Sequence, residues 1–65
     1  MSTNRSPIYG DQTKANLWAT REIAVGVADR NQMYEEDGWT YKVLPCGPYF
    51  LIEVRDDADE FVGYL

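Results

Sequence analysis

Residues 39–65, WTYKVLPCGPYFLIEVRDDADEFVGYL, decide the fold of this chain. They contain three runs rich in β-branched and aromatic residues, at 39–44, 49–56 and 59–65, and such residues favour strands. Pro45-Cys46-Gly47-Pro48 separates the first two runs, and an acidic turn around Asp57-Ala58 separates the last two. Short turns between neighbouring strands predict an antiparallel meander.

The faces of this sheet follow from the loop lengths. We expect a first loop of four residues and a second loop of two, which pairs Val43 with Phe50 and Val54 with Phe61. Both registers give the middle strand the same core-facing side, and alternation then fixes the rest. The core-facing set is Trp39, Tyr41, Val43, Phe50, Ile52, Val54, Phe61 and Leu65. The opposite, outer face carries Thr40, Lys42, Leu44, Tyr49, Leu51, Glu53, Arg55, Glu60, Val62 and Tyr64.

The segment before the sheet predicts a helix that begins near Asp11 or Thr13, two good N-cap residue types, and continues to Arg30. At about 100° per residue its apolar side chains form one broad arc. That arc consists of Leu17, Ala19, Ile23, Ala24, Val27 and Ala28. Trp18 and Val25 fall together on the polar side. A strand at 23–28 is the alternative, because apolar residues also alternate there, but the longer arc favours the helix.

The chain is therefore predicted to be an α+β protein, with one helix packed on a three-stranded antiparallel β-meander in the order α-β-β-β. Residues 11–65 form the single small domain, and residues 1–10 form a flexible N-terminal tail. For Ile8 and Tyr9, within that tail, the sequence leaves two alternatives: the pair packs against the core, or it adds a short edge strand. A chain of 65 residues buries only about 60% of its unfolded surface, so support from a partner is expected.

Composition excludes several classes of function. The formal net charge is −5, which repels phosphate, so direct nucleic-acid binding is not expected even though Tyr49 and Tyr64 could stack on bases. No apolar stretch approaches the ~20 residues of a membrane span. The lone Cys46 and the polar first residues favour a cytoplasmic protein without membrane attachment.

The sequence predicts no enzyme, no cofactor and no metal site. Cys46 has no histidine to serve as its base, since the chain contains none. In the expected sheet Glu53 has Lys42 diagonal to it, Thr40 and Val62 on either side and solvent above, which gives no reason for a raised pKa. The acidic stretch 56–60 lacks the ligand spacing and glycine of a calcium loop, and turn chemistry explains it better.

The leading hypothesis is a small acidic protein-interaction or regulatory module that self-associates as a weak homodimer. Exposed apolar patches usually mark contacts, and two groups of residues have no expected cover. On the outer sheet face these are Leu44, Tyr49, Leu51, Val62 and Tyr64, and on the helix Trp18 and Val25. The alternative hypothesis is an acidic inhibitor that mimics nucleic acid, of a kind that a phage or a bacterium would encode.

Overall fold

The computed structural model describes residues 7–65 and confirms the predicted α+β fold. Helix α1 packs on one face of an antiparallel sheet with the strand order β1-β2-β3. The elements are a 3-10 turn at Gln12–Lys14, α1 at Arg21–Met33, β1 at Thr40–Cys46, β2 at Tyr49–Arg55 and β3 at Phe61–Tyr64. No helix among the described residues has the length and hydropathy to cross a membrane.

Helix α1 begins later than predicted. Its N-cap is Thr20, whose Oγ1 accepts a hydrogen bond from the backbone N–H of Ile23 at 3.2 Å. Asp11 also acts as a cap, but for the 3-10 turn, where its Oδ1 accepts from the N–H of Thr13 at 2.9 Å. The start predicted at Asp11 or Thr13 is therefore wrong. The strand alternative for 23–28 is excluded, because those residues lie within α1.

The residues between the 3-10 turn and α1 do not continue the helix, because Asn16 and Trp18 bond to the sheet. Trp18 and Phe50 exchange backbone hydrogen bonds of 2.8 and 2.9 Å, and Asn16 donates to the carbonyl of Leu65 at 2.9 Å. This long-range pairing outweighs the local preference for helix. Trp18 consequently precedes α1 and packs on the core, so its expected position beside Val25 on a polar helix face is wrong.

The first hairpin turns more tightly than predicted. Its loop contains only Gly47-Pro48, and Gly47 has a φ of 59°, which suits the first position of a type II′ turn. Val43 therefore pairs with Ile52 instead of Phe50, a shift of two residues. Because side chains alternate with period two, this shift leaves on its predicted face every residue of β1 and β2 that had been assigned to a strand; Pro45 and Cys46, predicted in the loop, belong to β1 instead.

The second hairpin has a longer loop than the two residues predicted. Asp56 and Glu60 flank it, with the N–H of Asp56 donating to the carbonyl of Glu60 at 2.9 Å. Asp59 lies in the left-handed region with a φ of 64°. A residue of this kind at the end of a three-residue loop typically introduces a bulge.

The extra loop residue exchanges the faces of Phe61 and Val62, and a bulge in β3 then returns Tyr64 to its predicted outer face. Val54 pairs with Gly63, whereas Arg55 pairs with Phe61, which leaves Val62 as the additional residue. Phe61 therefore lies on the outer face, 47% exposed, and Val62 packs against the core. The predicted positions of Phe61 in the core and Val62 on the outer face are both wrong, because the loop is one residue longer than predicted.

The core lies between α1 and the inner face of the sheet. Its fully enclosed members are Ala28, Ile52, Val54 and Leu65. Partly buried side chains complete it: Ile8, Trp18, Val27, Trp39, Tyr41, Val43 and Val62. On the helix, the buried face is centred on Ala24, Ala28 and Asn31. Leu17 and Ile23, which were expected in the apolar arc, are about half exposed at 49% and 52%.

The N-terminal arm, residues 7–18, adds to the sheet beyond β3. Tyr9 and Tyr64 exchange two backbone hydrogen bonds of 2.7 Å, which matches the alternative of a short edge strand. A Cβ on Gly63 would lie 2.6 Å from the carbonyl oxygen of Tyr9, so the close approach of the arm requires glycine there. Residues 1–6 of the predicted flexible tail lie outside the described part of the chain.

Candidate interaction surface

Strand β1 forms an edge of the sheet, and its backbone alternates between two directions. Cys46 and Tyr49 close a two-residue turn, where the closing residues exchange hydrogen bonds. The even-numbered residues of β1 therefore bond to β2, and the odd-numbered ones point their N–H and C=O groups to the free edge. The N–H of Tyr41 confirms this direction, because it donates to a helix side chain and not to β2.

The partner of that N–H is the side-chain amide of Gln32, at the end of α1. Its Nε2 donates to the carbonyl of Trp39 at 2.8 Å, and its Oε1 accepts from the N–H of Tyr41 at 3.3 Å. One side chain thus supplies the donor and the acceptor that a peptide group of a neighbouring strand would supply. The edge is closed at this end.

The next residue along the edge, Val43, has a backbone open to an additional strand. Its N–H and C=O point away from β2, and no helix or loop group within residues 7–65 bonds to them. Pro45 follows at the next outward position and has no N–H to donate, which is why proline is tolerated in an edge strand. Gln32 and Pro45 therefore limit the open part of the edge to a short window around Val43.

An open groove of about 490 Å³ lies along this window. Its apolar lining comes from the two elements that meet there, with Val25 and Ala28 on α1 and Tyr41 and Val43 on β1. The phenol of Tyr41 donates to the carboxylate of Glu35. Charged side chains also line the groove: Arg21, Asp29, Lys42, Arg55 and Asp59.

The cations of the groove differ in their availability. Arg55 is engaged, because its Nε donates to Glu53 Oε1 at 2.8 Å and its Nη1 donates to the carbonyl of Asp59 at 2.9 Å. The hydrogen bond and charge of Glu53 raise the pKa of Arg55 above its usual value. Arg21 and Lys42 make no ion pair with any residue in 7–65. Two available cations therefore lie beside the open edge.

The outer sheet face was expected to have no cover, but the structure shows that part of it is covered. Leu51, its expected centre, is only 2% exposed, so that part of the expectation is wrong. The arm crosses this face: after Tyr9 pairs at β3, the side chain of Gln12 donates to Cys46 Sγ at 3.7 Å, and Asn16 returns to Leu65. These contacts carry the arm across the outer face, the side of the sheet on which Leu51 is buried.

The other predicted contact residues are dispersed. Tyr49 is 46% exposed on the outer face, and Tyr64 packs edge-to-face on Phe61 with ring centroids 5.2 Å apart. Leu44 is half-buried, and Val62 and Trp18 pack on the core. Val25 lines the groove beside β1, and so it is the one of the seven that lies at the candidate surface.

Sequence reasoning missed the residues that shape the edge. Gln32 lies two residues beyond Arg30, the last residue of the predicted helix, and nothing in its surroundings indicates a bond to a strand. Pro45 did carry a signal, since a proline inside a β-rich run is typical of an edge strand, but it was assigned to a loop. Only the structure shows that both belong to one edge.

Within residues 7–65, no three His, Cys, Asp or Glu side chains come together in a group that could hold a metal ion. Comparison of the chain with protein-family models, with curated proteins and with solved structures finds no match.

Proposed function

We propose that this chain is a small protein-interaction module that binds an extended segment of its partner along the free edge of β1. The observation that carries the proposal is the backbone of Val43, which points outward beside a groove lined by α1. An extended peptide can add to such an edge as a further strand, with main-chain hydrogen bonds for affinity and flanking pockets for selectivity. The Gln32 amide already bonds to the neighbouring backbone groups in this manner.

The short window sets the strength of binding. A net hydrogen bond contributes about 0.5–1.5 kcal/mol, and Val43 offers one donor and one acceptor. Contacts with Val25 and Tyr41 in the groove must therefore supply much of the free energy. We expect weak, reversible binding, with a dissociation constant of about 10 µM to 1 mM.

A proline substitution tests the proposal, because it removes the N–H of residue 43 without touching the bonds between β1 and β2. The V43P and V43A variants, checked for folding by their NMR fingerprints, would be compared with the parent chain as baits in an extract of the source cells. A partner retained by the parent and V43A but lost by V43P supports the proposal. A partner retained equally by V43P contradicts it.

Two other functions were expected from the sequence, and both give different results in simple measurements. Self-association through the outer face, now reduced to Tyr49, Phe61 and Tyr64, would appear as a concentration-dependent mass in sedimentation. An acidic inhibitor would lose affinity for its target steeply as salt rises. A partner held mainly by backbone bonds and apolar contacts should lose affinity only a few-fold between about 0.05 and 0.5 M salt.

A further inference from the structure

We infer that the segment bound at the free edge of β1 is an extended peptide of another protein in which acidic and apolar side chains alternate. This inference rests on the proposed function and specifies its ligand. Three observations support it. The two faces of an added strand would meet different side chains, β1 already pairs with acidic and apolar residues of β2, and a second copy of the chain fits the edge poorly.

An added strand would have two different surroundings. Its side chains alternate between the helix side and the outer side of the sheet. The helix side of the groove offers Val25 and Ala28, which favour apolar side chains, together with the opposite charges of Arg21 and Asp29. The outer side offers Lys42, which has no carboxylate partner within residues 7–65. Lys42 therefore favours acidic side chains on the outer side, and Val25 and Ala28 favour apolar ones on the helix side.

On its other side β1 pairs with β2, and the side chains of β2 show the same alternation of acidic and apolar residues. Ile52, Glu53 and Val54 of β2 pair with Val43, Lys42 and Tyr41 in turn, which gives the order apolar, acidic, apolar. Glu53 directs its carboxylate to Arg55 at 2.8 Å and does not form an ion pair with Lys42. The ammonium group of Lys42 therefore remains available to a carboxylate arriving from the free edge.

A second copy of this chain fits the edge poorly. In the symmetric antiparallel register that pairs Val43 with its counterpart, Tyr41 lies opposite Pro45, which has no N–H, and the N–H of Tyr41 is already bonded to Gln32. Of the two neighbouring symmetric registers, one places Lys42 opposite Lys42, and like charges directly opposite are destabilising. The other, centred on Leu44, places Val43 opposite Pro45, which has no N–H to donate. Two copies also repel each other, since each carries a formal net charge of −5.

The test uses two synthetic peptides, acetyl-Glu-Val-Glu-Val-Glu-amide and acetyl-Lys-Val-Lys-Val-Lys-amide, titrated into the full ¹⁵N-labelled chain. We expect the acidic peptide to shift the amides of Val43 and its neighbours and to bind about three- to tenfold more tightly than the basic one. The global charge of the chain favours the basic peptide, so an acidic preference can arise only from local cations. K42Q should reduce the preference, with Arg21 still at the groove, and K14Q, which removes the same charge outside the groove, should leave it unchanged.

Each other outcome overturns a defined part of the argument. If both peptides bind equally at the edge, the acidic class is wrong while the proposed function stands. If neither shifts the Val43 amide at millimolar concentration, or if V43P binds as well as the parent, the edge is not a binding site and the proposed function fails as well. Shifts confined to Tyr49, Phe61 and Tyr64 would move the site to the outer face. Edge shifts that depend on protein concentration without peptide would identify a second copy as the occupant.

Discussion

The side-chain amide of Gln32 donates to the backbone carbonyl of Trp39 at 2.8 Å, which links the end of α1 to the start of the sheet edge. Together with the bond that its Oε1 accepts from Tyr41, this link covers one end of an otherwise open strand. Uncovered edges promote unwanted pairing between chains, and a side chain that occupies the edge limits it.

Replacing Gln32 with alanine should therefore have two opposite effects. The unfolding free energy should fall by about 1–2 kcal/mol, because two hydrogen bonds are lost. Binding of the acidic peptide should tighten several-fold, because the backbone beside Trp39 and Tyr41 then accepts a further residue of the added strand. M33A, at a neighbouring helix position that is 75% exposed, is the control and should change neither quantity appreciably. Unchanged or weaker peptide binding by a folded Q32A variant would show that Gln32 does not occupy the ligand's path.

Leu51 is expected to matter for folding and not for contact with a partner. L51A should lower the unfolding free energy by about 2–5 kcal/mol, since the side chain is 2% exposed on the face that the arm crosses. L17A, at a residue that is 49% exposed, should cost well under half as much. Chemical denaturation of both variants checks this. Equal small losses would mean that residues 10–15 do not cover the outer face in solution.

The two N-cap residues, Thr20 and Asp11, should contribute differently to the unfolding free energy. T20A removes the cap of a thirteen-residue helix and should cost about 1 kcal/mol. D11A removes the cap of a three-residue turn on the exposed arm, and we expect it to cost less. Thermal melts of the two variants show which substitution lowers the stability more. A larger loss for D11A would support the helix start near Asp11 that the sequence predicted.

Asp59 should be a position where glycine stabilises the chain. Its φ of 64° is costly for a residue with a side chain, and glycine adopts it without strain. D59G should therefore raise the unfolding free energy by up to about 1 kcal/mol, and Arg55 keeps its bond because that bond is to the backbone carbonyl. The same change at Asp57, which does not have a positive φ, should be neutral or destabilising.

The sequence predicted those features that depend on period-two alternation. The first loop was assigned two residues too many, yet Lys42 and Val43 kept their predicted faces, because a shift by an even number preserves alternation. An odd insertion has the opposite effect: the third residue of the second loop reversed the faces of Phe61 and Val62, and the bulge at Val62 restored the predicted face of Tyr64. The start of α1 could not be predicted locally, because Trp18 is held extended by Phe50, far along the chain. The open edge depends on Gln32 in the same long-range way.

The pairing of Tyr9 with Tyr64 also bears on how the chain folds. The hairpin of β1 and β2 closes through two residues and can form on a timescale of about 1–10 µs. Tyr9 joins a partner near the other end of the described chain, so its loop-closure entropy opposes pairing until β3 has docked. The arm is therefore expected to fold last, and this domain should fold more slowly than a helical bundle of equal length. Until the arm docks, Leu51 is exposed to solvent, and in that interval nascent chains are most prone to aggregate.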